Sequence, residues 1–342
     1  MTSSTGAREN KHILQQATKV KDRIREIVDR GRKVIVVSHI DPDGDAVGTE
    51  LAFGAYLADL GKEVHLALDS QVPEKYLFLQ GVERIMRVDS LPADFTADTA
   101  IVLECPSRDR LGRATRLLGR DTVVVSIDHH RGSTEFGDVN WVDIEASSVG
   151  EMVYEYFRHV GYRPNAGVAE QLYTAVLTDT GRFRYASTSA RTMAIAGELI
   201  AAGADPRRVC DHVYYNLQPS TMKLMGKVLN GIEFLGDGRI CLMTMTNDMV
   251  RQAGALHSES DGLVDYTLFN QGVQIGALLK EVDAAHTKVS LRSNNGVDVA
   301  AIAAVYGGGG HFNAAGCTIP LPLGNAKAEL VRRLSEANDD AQ

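Results

Sequence analysis

Residues 34–45 read VIVVSHIDPDGD. The reading of this stretch decides the fold. Residues 34–37 are four β-branched side chains in a row, apolar without alternation, which suits a strand covered on both faces in a parallel sheet. AVGTELAFGAYLADL (46–60) then has helical spacing and closes at Gly61. The same kind of run returns as EVHLAL (63–68), TAIVLE (99–104) and TVVVSI (122–127). Strand and helix alternate, so the first half reads as an open α/β sheet. Residues 12–30 predict a leading helix that stops at Gly31, behind a polar start of roughly ten residues expected to be loose.

The pattern changes in the second half. Residues 147–160, 166–178, 190–203 and 206–215 read as helices, as does 219–230. EFLGDGRICLMTM (233–245) reads as strand, turn, strand. VQIGALLKEV (273–282) and HTKVSLRS (286–293) are further strand candidates. A glycine-rich loop at 307–310, AAGCTIPL (314–321) and a polar helix close the chain. The expected organisation is a parallel-sheet domain over 12–189, a helical connector over 190–218, and a smaller mixed α+β domain over 219–338, with a cleft between the two domains.

Composition narrows the function. The 342 residues suit about two domains of ordinary size. A net charge of −8 argues against a protein that coats long nucleic acid through a basic face. No apolar run is long enough to span a membrane, and the N-terminus lacks the apolar core of a signal peptide. Cys105, Cys210, Cys241 and Cys317 are far apart and form no CxxC pair, so they read as reduced cytoplasmic thiols.

The chemistry gathers where strands end. His39, Asp41, Asp43 and Asp45 follow the first strand in a tight Pro/Gly loop, the place where open α/β sheets collect ligands. Asp-Pro-Asp-Gly is also ordinary turn chemistry. Glu104 ends the next strand, and Asp128, His129 and His130 end the one after. Adjacent side chains on a strand point to opposite faces, which makes paired histidines there a poor core feature. Asp179 adds a carboxylate at a helix end. Mixed imidazole and carboxylate donors suit Mn²⁺, Mg²⁺ or Zn²⁺.

These motifs resemble the DHH/DHHA1 phosphoesterase superfamily. HIDPDGDA (39–46) looks like its first motif, DHH (128–130) its name-giving motif and TDTG (178–181) its fourth. LRS (291–293) and GGGGHFNAAG (307–316) look like the DHHA1 nucleotide-binding signature. The similarity is greatest to the NrnA-type branch, oligoribonucleases that also dephosphorylate pAp. The resemblance implies two divalent cations, Mn²⁺ first, with Mg²⁺ or Co²⁺ as alternatives. It gives His39 and Asp43 to the first ion, and Asp45, His129 and Asp179 to the second. Glu104 stands at the bridging position, where the family usually has Asp. His130 is expected to stabilise the phosphate or the leaving oxygen, and Asp128 to orient a neighbour. Arg292, Ser293, Gly308, Gly309, Gly310 and His311 are expected to hold the nucleotide. Arg110, Arg182 and Arg184 are secondary candidates.

The resemblance thus implies hydrolysis of short oligoribonucleotides to nucleoside monophosphates and of pAp to AMP. Its partners would be short RNA, pAp or dinucleotides rather than long duplexes or membranes, and it allows a homodimer. Two alternatives stand beside it: a phosphodiesterase for linear or cyclic dinucleotides, and a non-catalytic nucleotide-binding protein disabled by Glu104.

Overall fold

The structure, a computed structural model, describes residues 3–260, 262–294 and 296–340. The chain forms two units, Met1–Asn216 and Leu217–Gln342.

The first unit is built on six parallel strands: β1 (Lys33–Val37), β2 (Glu63–Leu68), β3 (Ile85–Arg87), β4 (Thr99–Leu103), β5 (Val123–Asp128) and β6 (Val139–Val142). They lie in the order β3-β2-β1-β4-β5-β6. The order reverses between β1 and β4, and a ligand site is expected outside the carboxyl ends at that point. Both faces are covered, as the unbroken apolar runs require. Val34, Val36, Ile101, Leu103, Val125 and Ile127 join one core, while Ile35, Val37, Ala100, Val102 and Val124 join another on the opposite face. β3 and β6 are three and four residues long, too short for periodicity to reveal.

Six helices belong to this unit: α1 (Ser3–Arg30), α2 (Gly44–Asp59), α3 (Val149–Val160), α4 (Ala166–Asp179), α5 (Ala190–Ala201) and α6 (Pro206–Tyr214). The polar start expected to be loose is instead the first part of α1. It has few strong helix breakers and simply extends the amphipathic segment behind it. α5 and α6, in the stretch read as a connector, pack Ile195, Leu199, Val209 and Val213 into the first core.

Glycines set the closest approaches among these helices. A Cβ at Gly48 would stand 2.4 Å from the Gln171 carbonyl oxygen, and one at Gly150 would stand 2.6 Å from Ala175 Cβ. Their absence lets α2 and α3 lie directly on α4, which brings the beginnings of α2 and α3 to the end of α4.

The second unit has its own sheet: β7 (Glu233–Leu235), β8 (Ile240–Met245), β9 (Ile275–Glu281), β10 (Thr287–Ser293), β11 (Gly309–His311) and β12 (Ala314–Ile319). The order is β11-β12-β10-β9-β8-β7, antiparallel except for β8 beside β9. Helices α7 (Pro219–Asn230), α8 (Asn247–Ala253), α9 (Val299–Ala304) and α10 (Leu323–Asp340) complete it. The segment expected as a glycine-rich loop is partly an edge strand. Gly309 pairs with Gly316 and Gly310 with Ala315. A Cβ at Gly310 would meet the Ala314 carbonyl oxygen at 2.4 Å, so glycine is what allows this tight return.

Candidate metal centre

The loop after β1 is held from both sides. Ile40 N–H donates to the Arg110 carbonyl, 2.8 Å, and Asp41 N–H donates to Ser70 Oγ, 2.9 Å. Asp43 caps α2, its Oδ1 accepting from the Asp45 and Ala46 amides, both at 3.0 Å. Asp41 and Glu104 both take left-handed backbone conformations, φ 55° and 54°, which cost non-glycine residues about 1–3 kcal/mol and tend to persist at functional sites.

Each imidazole is oriented by its other nitrogen. His39 Nδ1 lies 2.7 Å from the Ile40 carbonyl oxygen and His129 Nδ1 lies 3.1 Å from that of Ala146. A carbonyl only accepts, so both Nδ1 atoms carry the hydrogen, and Nε2 is presented as a ligand. His129 Nε2 stands 3.4 Å from Glu104 Oε2 and 3.2 Å from Asp179 Oδ2. His39 Nε2 stands 4.0 Å from Asp43 Oδ1. His130 Nδ1 bonds Asp128 Oδ1 at 2.7 Å, and its Nε2 lies 3.5 Å from Glu104 Oε1.

Asp45 is fully buried, and its two oxygens accept from the Val149 and Gly150 amides at 2.6 and 2.8 Å. These are the first free N–H groups of α3, the positive end of that helix. A side-chain brace holds that end. Glu151 is buried and accepts from Ser147 Oγ and Thr192 Oγ1, both 2.7 Å, and also from Arg191 Nε. Sequence reasoning missed this support. The signal was Ser148 followed by Glu151, the S-x-x-E pattern that opens helices.

The six residues expected as ligands converge. His39, Asp43 and Glu104 each offer a donor atom within 4.8 Å of the others, and so do Asp45, His129 and Asp179. Glu104, His129 and His130 form a third such group. Glu104 therefore stands between the two sets.

The donors fit divalent cations. Glu104 Oε2 is sealed from solvent and held by no hydrogen bond. Its 3.4 Å approach to His129 is longer than a charge-assisted hydrogen bond but close to the spacing of about 3 Å between two donors that share one ion. Electrostatics point the same way. Burial, with Glu104 and Asp179 nearby, pushes the Asp45 carboxyl well up. Burial also pushes Asp179 up to about 7, against the pull of His129. Burial opposes a charged His130, yet Glu104 and Asp128 raise it to about 9. Crowded acids thus take up protons, and cations are what such a set accepts in exchange for them.

Residues 33–178 match the model of the DHH family, N-terminal domain, and residues 241–339 match the DHHA1 domain. A Thermus thermophilus protein, bifunctional oligoribonuclease and PAP phosphatase NrnA, is 30% identical over 89% of this chain and 89% of its own. The chain belongs to the DHH/DHHA1 phosphoesterase superfamily. A Bacillus subtilis protein of the same name is 28% identical, over 84% of this chain and 89% of that one. An exopolyphosphatase-related protein from Bacteroides fragilis has the same fold, with a TM-score of 0.87, 26% identity, and coverage of 93% of this chain and 96% of that one.

The DHHA1 unit carries the second group of expected residues. Arg292 is half-buried on β10, with Nε donating to Asp265 Oδ1 at 2.8 Å and Nη1 to the Leu291 carbonyl at 3.0 Å. Ser293 is buried on the same strand, and its hydroxyl donates to the Val297 carbonyl at 2.7 Å. Gly308 is tied into the fold likewise. Its amide, with that of Gly307, closes the end of α9 on the Ala303 and Ala304 carbonyls, which leaves Gly309 and Gly310 on the outer edge of the sheet as the accessible backbone. The side chain of His311 lies outside the described residues. Of the secondary arginines, Arg182 lies over the Tyr214 ring at 4.8 Å, and Arg110 clamps the first loop through its carbonyl.

Proposed function

We propose that this phosphoesterase hydrolyses short oligoribonucleotides to nucleoside monophosphates and removes the 3′-phosphate of pAp to give AMP. The observation that carries this reading is the convergence of His39, Asp43, Asp45, Glu104, His129 and Asp179 at the switch point of a parallel sheet, in a chain similar along most of its length to NrnA proteins.

In this reading His39, Asp43 and Glu104 hold one divalent cation, and Asp45, His129, Asp179 and Glu104 hold the other, with Mn²⁺ as the working ion and Mg²⁺ or Co²⁺ able to replace it. Bound as a pair, such ions supply Lewis-acid stabilisation of the phosphoryl charge and an activated water. The chain supplies the rest. The amides at the start of α3 and the Glu151–Arg191 brace fix Asp45. The Ile40 and Ala146 carbonyls fix the two imidazoles. His130, held by Asp128, keeps a proton at Nε2, and from there it donates to a phosphoryl oxygen or to the departing ribose oxygen. Arg292 and the outer edge at Gly309–Gly310 bind the nucleotide end common to both substrates. A cytoplasmic setting is supported by the four free cysteines, and short substrates, rather than long duplexes, by the acidic chain.

The test is release of mononucleotides from di- to pentaribonucleotides and of AMP from pAp, with each divalent ion in turn. Turnover of both with Mn²⁺ is expected. Absence of turnover with every ion overturns the reading.

A further inference from the structure

The carboxyl ends of β1, β2 and β3 border an open, shallow recess of about 550 Å³ beside the metal-binding loop. It lies wholly within the first unit and shares Ile40 and Asp41 with the loop that presents His39 and Asp43. Its volume is in the range of a small-molecule site. β3 lies two strands from β1, so the far wall stands about 10 Å from the loop, a distance a nucleoside spans.

The side chains around it divide into a fixed wall and an open one. Arg113 is spent, since its Nε bonds Asp69 Oδ1 at 2.5 Å and its Nη1 bonds Asp89. Ser70 is spent on the Asp41 amide and on Asp41 Oδ1. Arg87 and Gln71 are exposed, and among the described residues neither planar end group is held by a hydrogen bond or a close ion pair, Arg87 feeling the Asp69 carboxylate only through space. They line the recess together with Asp41.

Charge selects the occupant. Arg87 and Arg113 are balanced by Asp41 and Asp69, so the recess has no surplus charge for a second phosphate. It suits a neutral group carrying hydroxyls and a flat aromatic ring. A carboxylate accepts from ribose hydroxyls, while a guanidinium stacks on a base and a carboxamide bonds its edge.

We propose that this recess is the subsite for the nucleoside that an oligonucleotide has and pAp lacks, with Arg87 as its specificity-determining residue. The inference rests on the function proposed above. An internucleotide phosphate carries a nucleoside on each side, whereas the 3′-phosphate of pAp carries only one. The shared nucleoside is assigned to the DHHA1 signature, and the recess then takes the other. The device makes one centre serve two substrates while letting them be tuned separately.

The experiment compares Arg87→Ala and Gln71→Ala with the parent chain on pApA and pAp in Mn²⁺. For Arg87→Ala, kcat/KM on pApA should fall about tenfold or more, chiefly through KM, equivalent to ~1.4 kcal/mol, while pAp hydrolysis stays within about twofold. Gln71→Ala should show the same selectivity with a smaller loss. Equal losses on both substrates, or no loss on either, would overturn the subsite. Calorimetric binding of pApA and pAp reads the same contrast without turnover. If the parent chain cleaves neither substrate, the proposed function fails, while the binding contrast still decides the subsite.

Discussion

The interiors of the two units differ in kind. The first buries His39, Asp45, Glu50, Glu104, Asp128, His129, Glu151 and Glu170. Among the described residues of the second, the buried polar side chains are Thr221, Ser260, Thr267, Thr287 and Ser293, with no acid or base of comparable strength. Burying an ionisable group is costly unless it is paired or coordinates a metal. The first unit bears that cost at strand ends, with His39, Glu104, Asp128 and His129, and within helices, with Asp45, Glu50, Glu151 and Glu170, and the second offers Arg292 and backbone at a sheet edge. Under the proposed function the charge chemistry falls to one unit and recognition to the other, and that contrast ranks the effects of mutation.

The largest effect falls on the buried set. Asp45→Asn and His129→Ala should each lower kcat about 10³-fold or more, because groups that act as a unit fail together. Both should also lose Mn²⁺ in calorimetric titrations, and chelation of the parent chain should abolish turnover and lower its Tm until Mn²⁺ is restored. Retained activity in either variant would remove the asymmetry between the units.

Arg292→Ala probes the other side. A charge-assisted hydrogen bond is worth about 1.5–3 kcal/mol, so KM should rise roughly 10- to 100-fold with kcat little changed. Its packing on Asp265 makes Arg292→Lys the needed partner, since lysine keeps the charge and the ion pair but loses the planar fork. A kcat collapse in both would place Arg292 in the chemistry rather than in recognition.

Glu104→Asp has a smaller effect. Shortening the side chain by one methylene pulls the carboxylate back from two donor sets at once. Activity with Mn²⁺ should stay within about tenfold, ~1.4 kcal/mol, or rise, and the order of preference among Mn²⁺, Mg²⁺ and Co²⁺ should shift. A complete loss would mean that the left-handed turn at Glu104 is tuned to the longer side chain.

How much of this was readable in the chain depends on what each feature is made of. β1, β4 and β5 announce themselves because strands buried on both faces must be continuously apolar, and the ligands follow because they stand at the ends of those strands. β3 and β6 are too short to carry a period. Ser148 and Glu151 mark locally where α3 opens, but the brace joins Glu151 to Arg191, 40 residues away, and the identity of that partner leaves no local trace. Ser293 and Gly308 are of another kind. A motif names residues by type, and the structure adds what each bonds to within the fold, the hydroxyl to Val297 and the amide to Ala303. Gly310, expected to hold the nucleotide, is glycine in the first place to make room for the neighbouring strand.

The smallest effect on activity comes from Glu50, which sharpens the comparison because it is the buried acid outside the pattern. Glu151 meets Arg191, Glu170 meets Arg208 and Asp128 meets His130. Both Glu50 oxygens are buried without a hydrogen bond, and burial raises its carboxyl well above the usual range. The folded chain therefore keeps this proton at pH values where the unfolded chain has lost it. Below about pH 4.3 both forms hold it and nothing is lost. Above that, folding stability falls by about 1.4 kcal/mol per pH unit until Glu50 itself ionises. Glu50→Gln removes the titration and keeps the shape. Its stability gain in urea unfolding should be larger at pH 7 than at pH 5, with kcat unchanged on both substrates. Parallel stability curves would show that Glu50 is ionised and compensated. A drop in kcat would draw it into the centre, so that every buried acid without a fixed partner in this unit serves the reaction.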